Sequence, residues 1–268
     1  MHQKQLMRRR ARSVSVKKAN PVVGLWAYAE FGAVIGSFLP IMALSSLRHR
    51  GDPTQRVPGQ WLRRLGRTAT RLSTLWKFDI EGERPPDIDT KAYVVVANHE
   101  SQADPFLLSF LPWDMRWVAK EDLFKAPLSG WAMRLGGDIP LRRGEGESVR
   151  ACLLECERAL RGGISVMMFP EGTRSADGAL LPFKDGAFDL AIRAGVPILP
   201  IALAGTRAMR PKHSRWFGKA HAGATILAPI PTTGMTEADV GRLRDQARAA
   251  IAAALPDLRA RYRSDTTE

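Results

Sequence analysis

Cysteine is scarce in this chain: its 268 residues include two, Cys152 and Cys156. That excludes a disulfide-stapled scaffold and fits a reducing compartment. Two ligands are too few for a zinc site, and a spacing of four on a helix is poor geometry for a disulfide. With Val149, Leu153 and Leu160 beside them in a helical pattern, the two cysteines read as small core-facing residues. Acidic residues are missing from the N-terminus, where the first is Glu30. G-x-S-x-G does not occur, which argues against a serine-elbow esterase or lipase. G-x-x-x-x-G-K-S/T is absent too, which argues against a P-loop nucleotide enzyme. The sequence shows no internal repeat and no low-complexity tract.

Hydrophobic residues make up 45% and charged residues 25%, ordinary proportions for a folded chain. The length suits one sizeable α/β domain with an extension, or two small domains. The net charge of +13 is not ordinary. It points to anionic lipid, nucleic acid or phosphorylated small molecules as partners. Its distribution helps to choose. Lys4, Arg8, Arg9, Arg10, Arg12, Lys17 and Lys18 lie before the apolar segment 21–47, and Arg48, Arg50, Arg56, Arg63, Arg64, Arg67 and Arg71 follow it. Basic clusters bracketing an apolar segment suit an anionic membrane surface better than a nucleic-acid groove, so a membrane is expected as partner and nucleic acid is not.

Segment 21–47 is long enough to cross or enter a bilayer, although Glu30, Pro40 and three glycines weaken it. A signal peptide and a buried core helix are the alternatives. Residues 59–78 follow with roughly helical spacing of Trp61, Leu62, Leu65, Leu72, Leu75 and Trp76 among arginines. Such a helix lies either in the membrane interface or on the domain with its arginines in water. The expected organisation is a basic tail at 1–20, a membrane-anchoring helical region at 21–80 and an α/β domain at 81–268.

From residue 92 the pattern alternates. Strands are expected at 93–97, 116–119, 139–141, 164–169, 198–203 and 224–227. Helices are expected from Asp104-Pro105, at 127–135, 147–161 and 186–194, and over 236–262 with a break at Pro256. This predicts a mixed, mostly parallel sheet flanked by helices, with an N-terminal helical membrane anchor.

Two polar blocks stand directly after strands, where α/β proteins place their sites. Ala97 to Pro105 contains His99 and Asp104 in the spacing H-x-x-x-x-D. Asp104 folded back on the imidazole would hold one ring nitrogen and leave the other free to take a proton, the orienter and base of a triad without its nucleophile. A capping Asp beside a loop histidine is the plainer alternative. The second block is Phe169-Pro170-Glu171-Gly172-Thr173-Arg174-Ser175. Gly172 allows close approach of a ligand to the backbone, and Arg174 offers a planar fork for phosphate. Glu171 is expected to hold that arginine or to accept a hydrogen bond from substrate. The plainer alternative here is a surface turn with a Glu–Arg pair.

Together the blocks resemble those of the glycerolipid acyltransferase family, of the 1-acyl-sn-glycerol-3-phosphate acyltransferase type. Asn98, His99 and Asp104 match its N-H-x-x-x-x-D, and Phe169 to Ser175 match F-P-E-G-T-R-S throughout. Gly137, Ile139, Leu141 and Arg143 fit the second block, where Pro140 replaces a larger apolar residue, and Val196 to Pro200 fit the fourth. The resemblance covers roughly residues 90–205. It implies that His99 takes the proton of an acceptor hydroxyl, which attacks the thioester of acyl-CoA or acyl-carrier protein, without metal, cofactor or acyl-enzyme. It implies a lysophospholipid acceptor, most simply 1-acyl-sn-glycerol 3-phosphate acylated at its sn-2 hydroxyl to phosphatidic acid. Arg143, Arg174 and Lys184 would hold the acceptor phosphate, with Glu171, Gly172 and Thr173 around it and N–H groups near Gly172 on the oxyanion. The expected location is the cytoplasmic face of a membrane. Another lysolipid acceptor, such as a lyso-ornithine lipid, is the alternative within the family. A non-enzymatic protein binding anionic membrane or nucleic acid is the alternative outside it.

Overall fold

The computed structural model describes residues 21–175, 177–210, 214 and 216–262; the expected basic tail at 1–20 lies outside them. Seven strands form one sheet in the order β1-β7-β6-β2-β5-β3-β4. They are β1 Trp76–Glu81, β2 Val94–Ala97, β3 Met115–Lys120, β4 Ile139–Leu141, β5 Ser165–Met168, β6 Ile198–Ala204 and β7 Ala220–Ile226. Strands β6, β2, β5, β3 and β4 run parallel. Strand β7 is antiparallel to β6, and β1 is parallel to β7. The mixed, mostly parallel sheet expected from the alternation is thus present.

The strands at the centre are apolar on both faces because both are covered. Val94 and Val96 of β2 face a core shared with α5 (Gly146–Arg161), α6 (Gly186–Ala194) and α8 (Val240–Arg261). Tyr93, Val95 and Ala97 face the other core, with Leu107 and Leu108 of α3 (Asp104–Leu108). Cys152 and Cys156 are buried thiols in the first core. Helix α8 runs unbroken through Pro256, contrary to the expected interruption. Leu255 and Leu258, buried on either side of the proline, hold the backbone on the sheet, so packing outweighs the lost hydrogen bond.

The N-terminal region differs most from expectation. Helix α1, Pro21–Arg48, buries Gly24, Ala27, Phe31, Val34, Met42 and Ser45. This stripe packs along α2 (Arg56–Leu72) and α4 (Ser129–Leu135). Val22, Leu25, Trp26, Leu44 and Leu47 remain exposed on α1. Helix α2 ends at Leu72, and the residues at 76–81 form strand β1. The helix expected over 59–78 is therefore shorter at its C-terminal end, and the division expected at residue 80 falls inside a strand of the sheet. Trp76 is the physical reason: it is buried among Phe31, Phe106 and Phe217 in an aromatic cluster that joins α1 to the domain.

Nor do the arginines of α2 simply face lipid or water. Arg56 donates to the carbonyls of Gly162 and Gly163, and Arg67 to those of Ser109 and Leu111. Arg63 is buried, 2.5 Å from Asp138 and stacked over Trp117. Burial raises the Asp138 carboxyl pKa and lowers that of the Arg63 guanidinium, so the pair depends on mutual compensation. Arg116 donates to the carbonyls of Thr54 at 2.6 Å and Gln55 at 2.7 Å. Gly59 admits this guanidinium, since a Cβ there would lie 2.1 Å from an Arg116 nitrogen. Arg64 and Arg71 stay exposed.

Candidate active site

Five parallel strands present their carboxyl ends on one edge, and the expected site residues all follow such ends. The block 98–104 follows β2, block 169–175 follows β5, and Arg143 follows β4. Because β2 pairs with β5 on one side and β6 on the other, the loops after these three strands meet. Asn98 begins the turn. Its Nδ2 donates to the Leu203 carbonyl at 3.0 Å and its Oδ1 accepts the Leu203 N–H at 2.8 Å. The side-chain amide thus continues the β2–β6 ladder for one step while the backbone leaves the sheet.

His99 Nδ1 lies 2.7 Å from Asp104 Oδ2. The same oxygen accepts the N–H groups of Glu100 at 2.9 Å and Ser101 at 3.1 Å, and Oδ1 accepts the Thr206 hydroxyl. Asp104 does not cap α3; Ala103 occupies the cap position and Asp104 is the first helical residue. The carboxylate turns back because the tight loop before it offers two N–H groups and an imidazole for it to accept from. With Asp104 accepting from Nδ1, the neutral ring carries its free lone pair on Nε2.

Three further contacts fix the ring. Phe169 stacks on it with centroids 4.1 Å apart, Ser175 N–H donates to the His99 carbonyl at 2.9 Å, and His99 N–H donates to Glu171 Oε1 at 2.7 Å. Glu171 Oε2 accepts the Leu181 N–H at 2.9 Å. Glu171 is therefore a buried clamp between motif loops, with a backbone N–H group on each of its oxygens. Burial raises its carboxyl pKa, and the two N–H groups oppose that rise.

Gly172 has φ +67°, and its N–H closes a turn onto the Phe169 carbonyl at 3.0 Å. That N–H is committed to the turn and is not an oxyanion donor. Lys184 crosses over this glycine: a Cβ there would lie 3.0 Å from Lys184 Cε and 3.2 Å from Nζ. Arg174 is half-buried nearby. Burial lowers its pKa, Arg210 lowers it further, and Asp104 opposes them. Thr173 is exposed on the same loop. His99, Asp104, Glu171, Gly172, Arg174 and Lys184 are thus brought together. Arg143 is not part of the cluster. It is exposed at the end of edge strand β4, with β5 and β3 between it and β2, about 14 Å at ordinary strand spacing.

Four residues escaped the sequence reading. Thr206 follows β6 on the same edge, so its place after a strand was the available signal. Arg210 and Arg259 are distant in sequence and carried none. Glu100 lies inside the first block; it is buried, receives Arg259 Nη2 at 3.5 Å, and burial followed by the nearby Asp104 charge pushes its pKa up to about 7. Arg259 also donates to the Gly178 carbonyl, and Arg248 to those of Leu180 and Leu181. Helix α8 in this way holds the long loop that continues the second block.

Comparison with known proteins agrees with this geometry. A family profile described as Acyltransferase matches residues 77–204. The 1-acyl-sn-glycerol-3-phosphate acyltransferase alpha of Mus musculus is 36% identical over 216 residues, 79% of this chain and 74% of that protein. The chain belongs to the glycerolipid acyltransferase family. A chloroplastic 1-acyl-sn-glycerol-3-phosphate acyltransferase of Brassica napus is 40% identical over 178 residues, 66% of this chain; the chain spans about half, 50%, of that longer protein. The family fold is shared with the crystal structure of the 1-acyl-sn-glycerophosphate acyltransferase PlsC from Thermotoga maritima. Its TM-score is 0.67 at 24% identity, covering 87% of this chain and 96% of that one.

Proposed function

We propose that this chain transfers a fatty acyl group from acyl-CoA or acyl-carrier protein to the sn-2 hydroxyl of 1-acyl-sn-glycerol 3-phosphate, forming phosphatidic acid. The observation that carries the reading is the 2.7 Å His99–Asp104 contact at the meeting point of the motif loops. Two of the relatives reported above are named 1-acyl-sn-glycerol-3-phosphate acyltransferases, which supports the choice of acceptor. His99 Nε2 takes the hydroxyl proton as the oxygen attacks the thioester carbonyl carbon. The tetrahedral adduct collapses with cleavage of the C–S bond, and the imidazolium returns the proton to the leaving thiolate. Asp104 keeps the ring in the required tautomer and stabilises its charged form.

Arg174 and Lys184 take the acceptor phosphate on this reading. The sn-2 hydroxyl and the sn-3 phosphate sit on adjacent carbons, so the phosphate must lie close to the imidazole. Arg143 would need a ligand long enough to bridge the two intervening strands. Glu171, Gly172 and Thr173 shape the loop that the phosphate meets.

The domain division follows from the same reading: residues 21–75 attach the chain to a membrane and β1 onward forms the transferase. Helix α1 has mean hydropathy 1.6 in its most apolar window, of which 22% is buried. At 1.5 Å per residue its 28 residues reach about 42 Å. Its packed stripe runs from Gly24 to Ser45, which favours immersion of the outer face beside the domain over passage through the bilayer. Water-soluble thioester donors put the site on the cytoplasmic side. The test is an acceptor panel with the purified full chain and one labelled acyl donor, read by product mass. Lysophosphatidic acid should be the best acceptor. A different lysolipid preferred at least tenfold would reassign the acceptor, and no product from any lysolipid would refute transfer.

A further inference from the structure

Helix α8 lies beyond the four motif blocks and beyond residue 204, where the family profile ends. Leu243, Ala247, Ile251, Leu255 and Leu258 are buried on it at spacings of three and four, so one stripe of the helix lies against the sheet. Arg259 stands beside the end of that stripe. A single nitrogen of it, Nη2, serves two loops. It donates to the Gly178 carbonyl, in the loop after β5, and pairs with Glu100 Oε1 at 3.5 Å, in the loop after β2. The arginine side chain is 39% exposed and the glutamate side chain 6%. The pair therefore starts at the surface and ends at a carboxyl group sealed from water.

Glu100 adjoins His99 in sequence, and its main chain and side chain have different tasks. Its N–H donates to Asp104 Oδ2 at 2.9 Å, the same oxygen that holds His99 Nδ1 at 2.7 Å. Its carboxyl group accepts from Arg259 and from the N–H of Gly205, the residue before α7 (Thr206–Met209). Thr206 in turn donates its hydroxyl to Asp104 Oδ1. The Glu100 side chain thus fixes the peptide whose N–H sets the Asp104 carboxylate, and that carboxylate sets the ring. A carboxyl buried beside another is costly unless donors and a cation compensate it. Burial and the Asp104 charge push the Glu100 pKa up to about 7, and Arg259 is the cation that opposes them. The proton transfer itself uses neither Glu100 nor Arg259.

We infer that Arg259 is a positioning residue for the base: through Glu100 it holds the 99–104 loop in the shape that keeps Asp104 on His99 Nδ1. This deepens the acyltransferase reading and rests on it, because the base that Arg259 positions is the one proposed above. It also makes the C-terminal helix part of what sets the rate, although no motif block lies on that helix.

The experiment uses the full-length chain in detergent micelles, with lysophosphatidic acid as acceptor and acyl-CoA as donor. Arg259→Met should lower kcat about tenfold, the scale of losing a charged hydrogen-bond partner. Both KM values should stay within about twofold, since the arginine meets neither substrate. Arg259→Lys keeps the charge, and Glu100→Gln keeps an acceptor for both donors, so each should lose less. Glu100→Met removes that acceptor and should match Arg259→Met. The double variant should lose no more than Glu100→Met alone, because the two residues act in series. A second readout is independent of turnover. With 15N-labelled histidine, the His99 signal, assigned by its loss in His99→Gln, should report the Nδ1–H tautomer in the wild type and a mixture in Arg259→Met. Unchanged kcat in Arg259→Met, or a raised KM with kcat kept, would overturn the inference and leave Arg259 as a clasp on the Gly178 loop. So would a double variant that multiplies the single losses, or a His99 signal that stays the same. If the wild type acylates no lysolipid, the proposed activity fails, while the His99 signal still decides whether Arg259 positions the ring.

Discussion

Asp104 Oδ2 accepts from His99 Nδ1 at 2.7 Å while also accepting the N–H groups of Glu100 and Ser101 at 2.9 and 3.1 Å. One oxygen therefore orients the proposed base and closes the loop that carries it. His99→Gln should lose about 100- to 10,000-fold in turnover while staying folded, the usual contribution of a general base. Turnover within a few-fold of wild type would remove His99 from the mechanism.

Asp104→Asn tests the partner separately. An amide can hold the neutral ring but cannot stabilise an imidazolium, so the rate should fall even where the loop survives. Thr206→Val deletes the hydroxyl on the opposite oxygen. It should reduce turnover less than Asp104→Asn, and a steady-state comparison of the two variants checks the order.

Glu171→Gln changes the clamp rather than the base. The amide can accept one of the two N–H groups now held by Oε1 and Oε2, but its NH2 would face the other. Lower thermal stability, by the roughly 1–3 kcal/mol of an unsatisfied buried group, should accompany lower turnover. A full loss of rate with unchanged melting would instead make Glu171 a direct substrate contact.

Glu100 supplies a pH dependence with a definite sign. Its pKa is raised to about 7 by burial and by Asp104, from the ordinary 4.5. The folded state therefore binds this proton more tightly than the unfolded state. The associated stability is fully present below pH 4.5 and is lost as pH rises through about 7. The size is about 3 kcal/mol at 1.36 kcal/mol per unit. Glu100→Gln should flatten that part of the profile, so that denaturant midpoints at pH 5 and pH 8 differ less than in wild type.

Membrane attachment through α1 is testable without deleting the helix. Leu25, Leu44 and Leu47 are exposed on it, so changing all three to Ser should leave the fold intact and reduce recovery with vesicles. High-salt washing should not release the wild type, because apolar burial is not screened by ions. Release by salt alone would assign binding to the basic residues.

Much of the α/β domain was legible because buried parallel strands are short apolar runs, such as Val94–Val96, and glycines such as Gly162 and Gly195 mark helix ends. The site blocks were legible because polar residues follow those runs directly. Strand β1 was not, because Lys77 and Asp79 alternate with Trp76 and Phe78 on a half-exposed edge, and the arginine-rich helix before it masks the change of period. The roles of Arg56, Arg63 and Arg67 were hidden because a sequence shows charge but not the carbonyls of Gly162 or Ser109 that receive it. The clamp role of Glu171 was hidden for a similar reason: its partners are backbone groups of His99 and Leu181, which leave no trace in residue type.

The order of the loops along the chain sets an order in time. The proposed base stands at residue 99, its clamp at 171 and the hydroxyl that completes its carboxylate at 206. These meet only when β2 lies between β5 and β6. A chain growing from its N-terminus exposes α1 well before it gains Thr206. If α1 attaches the chain to lipid, as proposed, attachment can precede assembly of the proposed base, and an unfinished chain would be docked but inert. On the proposed reading, a thioester in the surrounding solution would then meet a competent imidazole on a chain that already rests on the surface holding its acceptor.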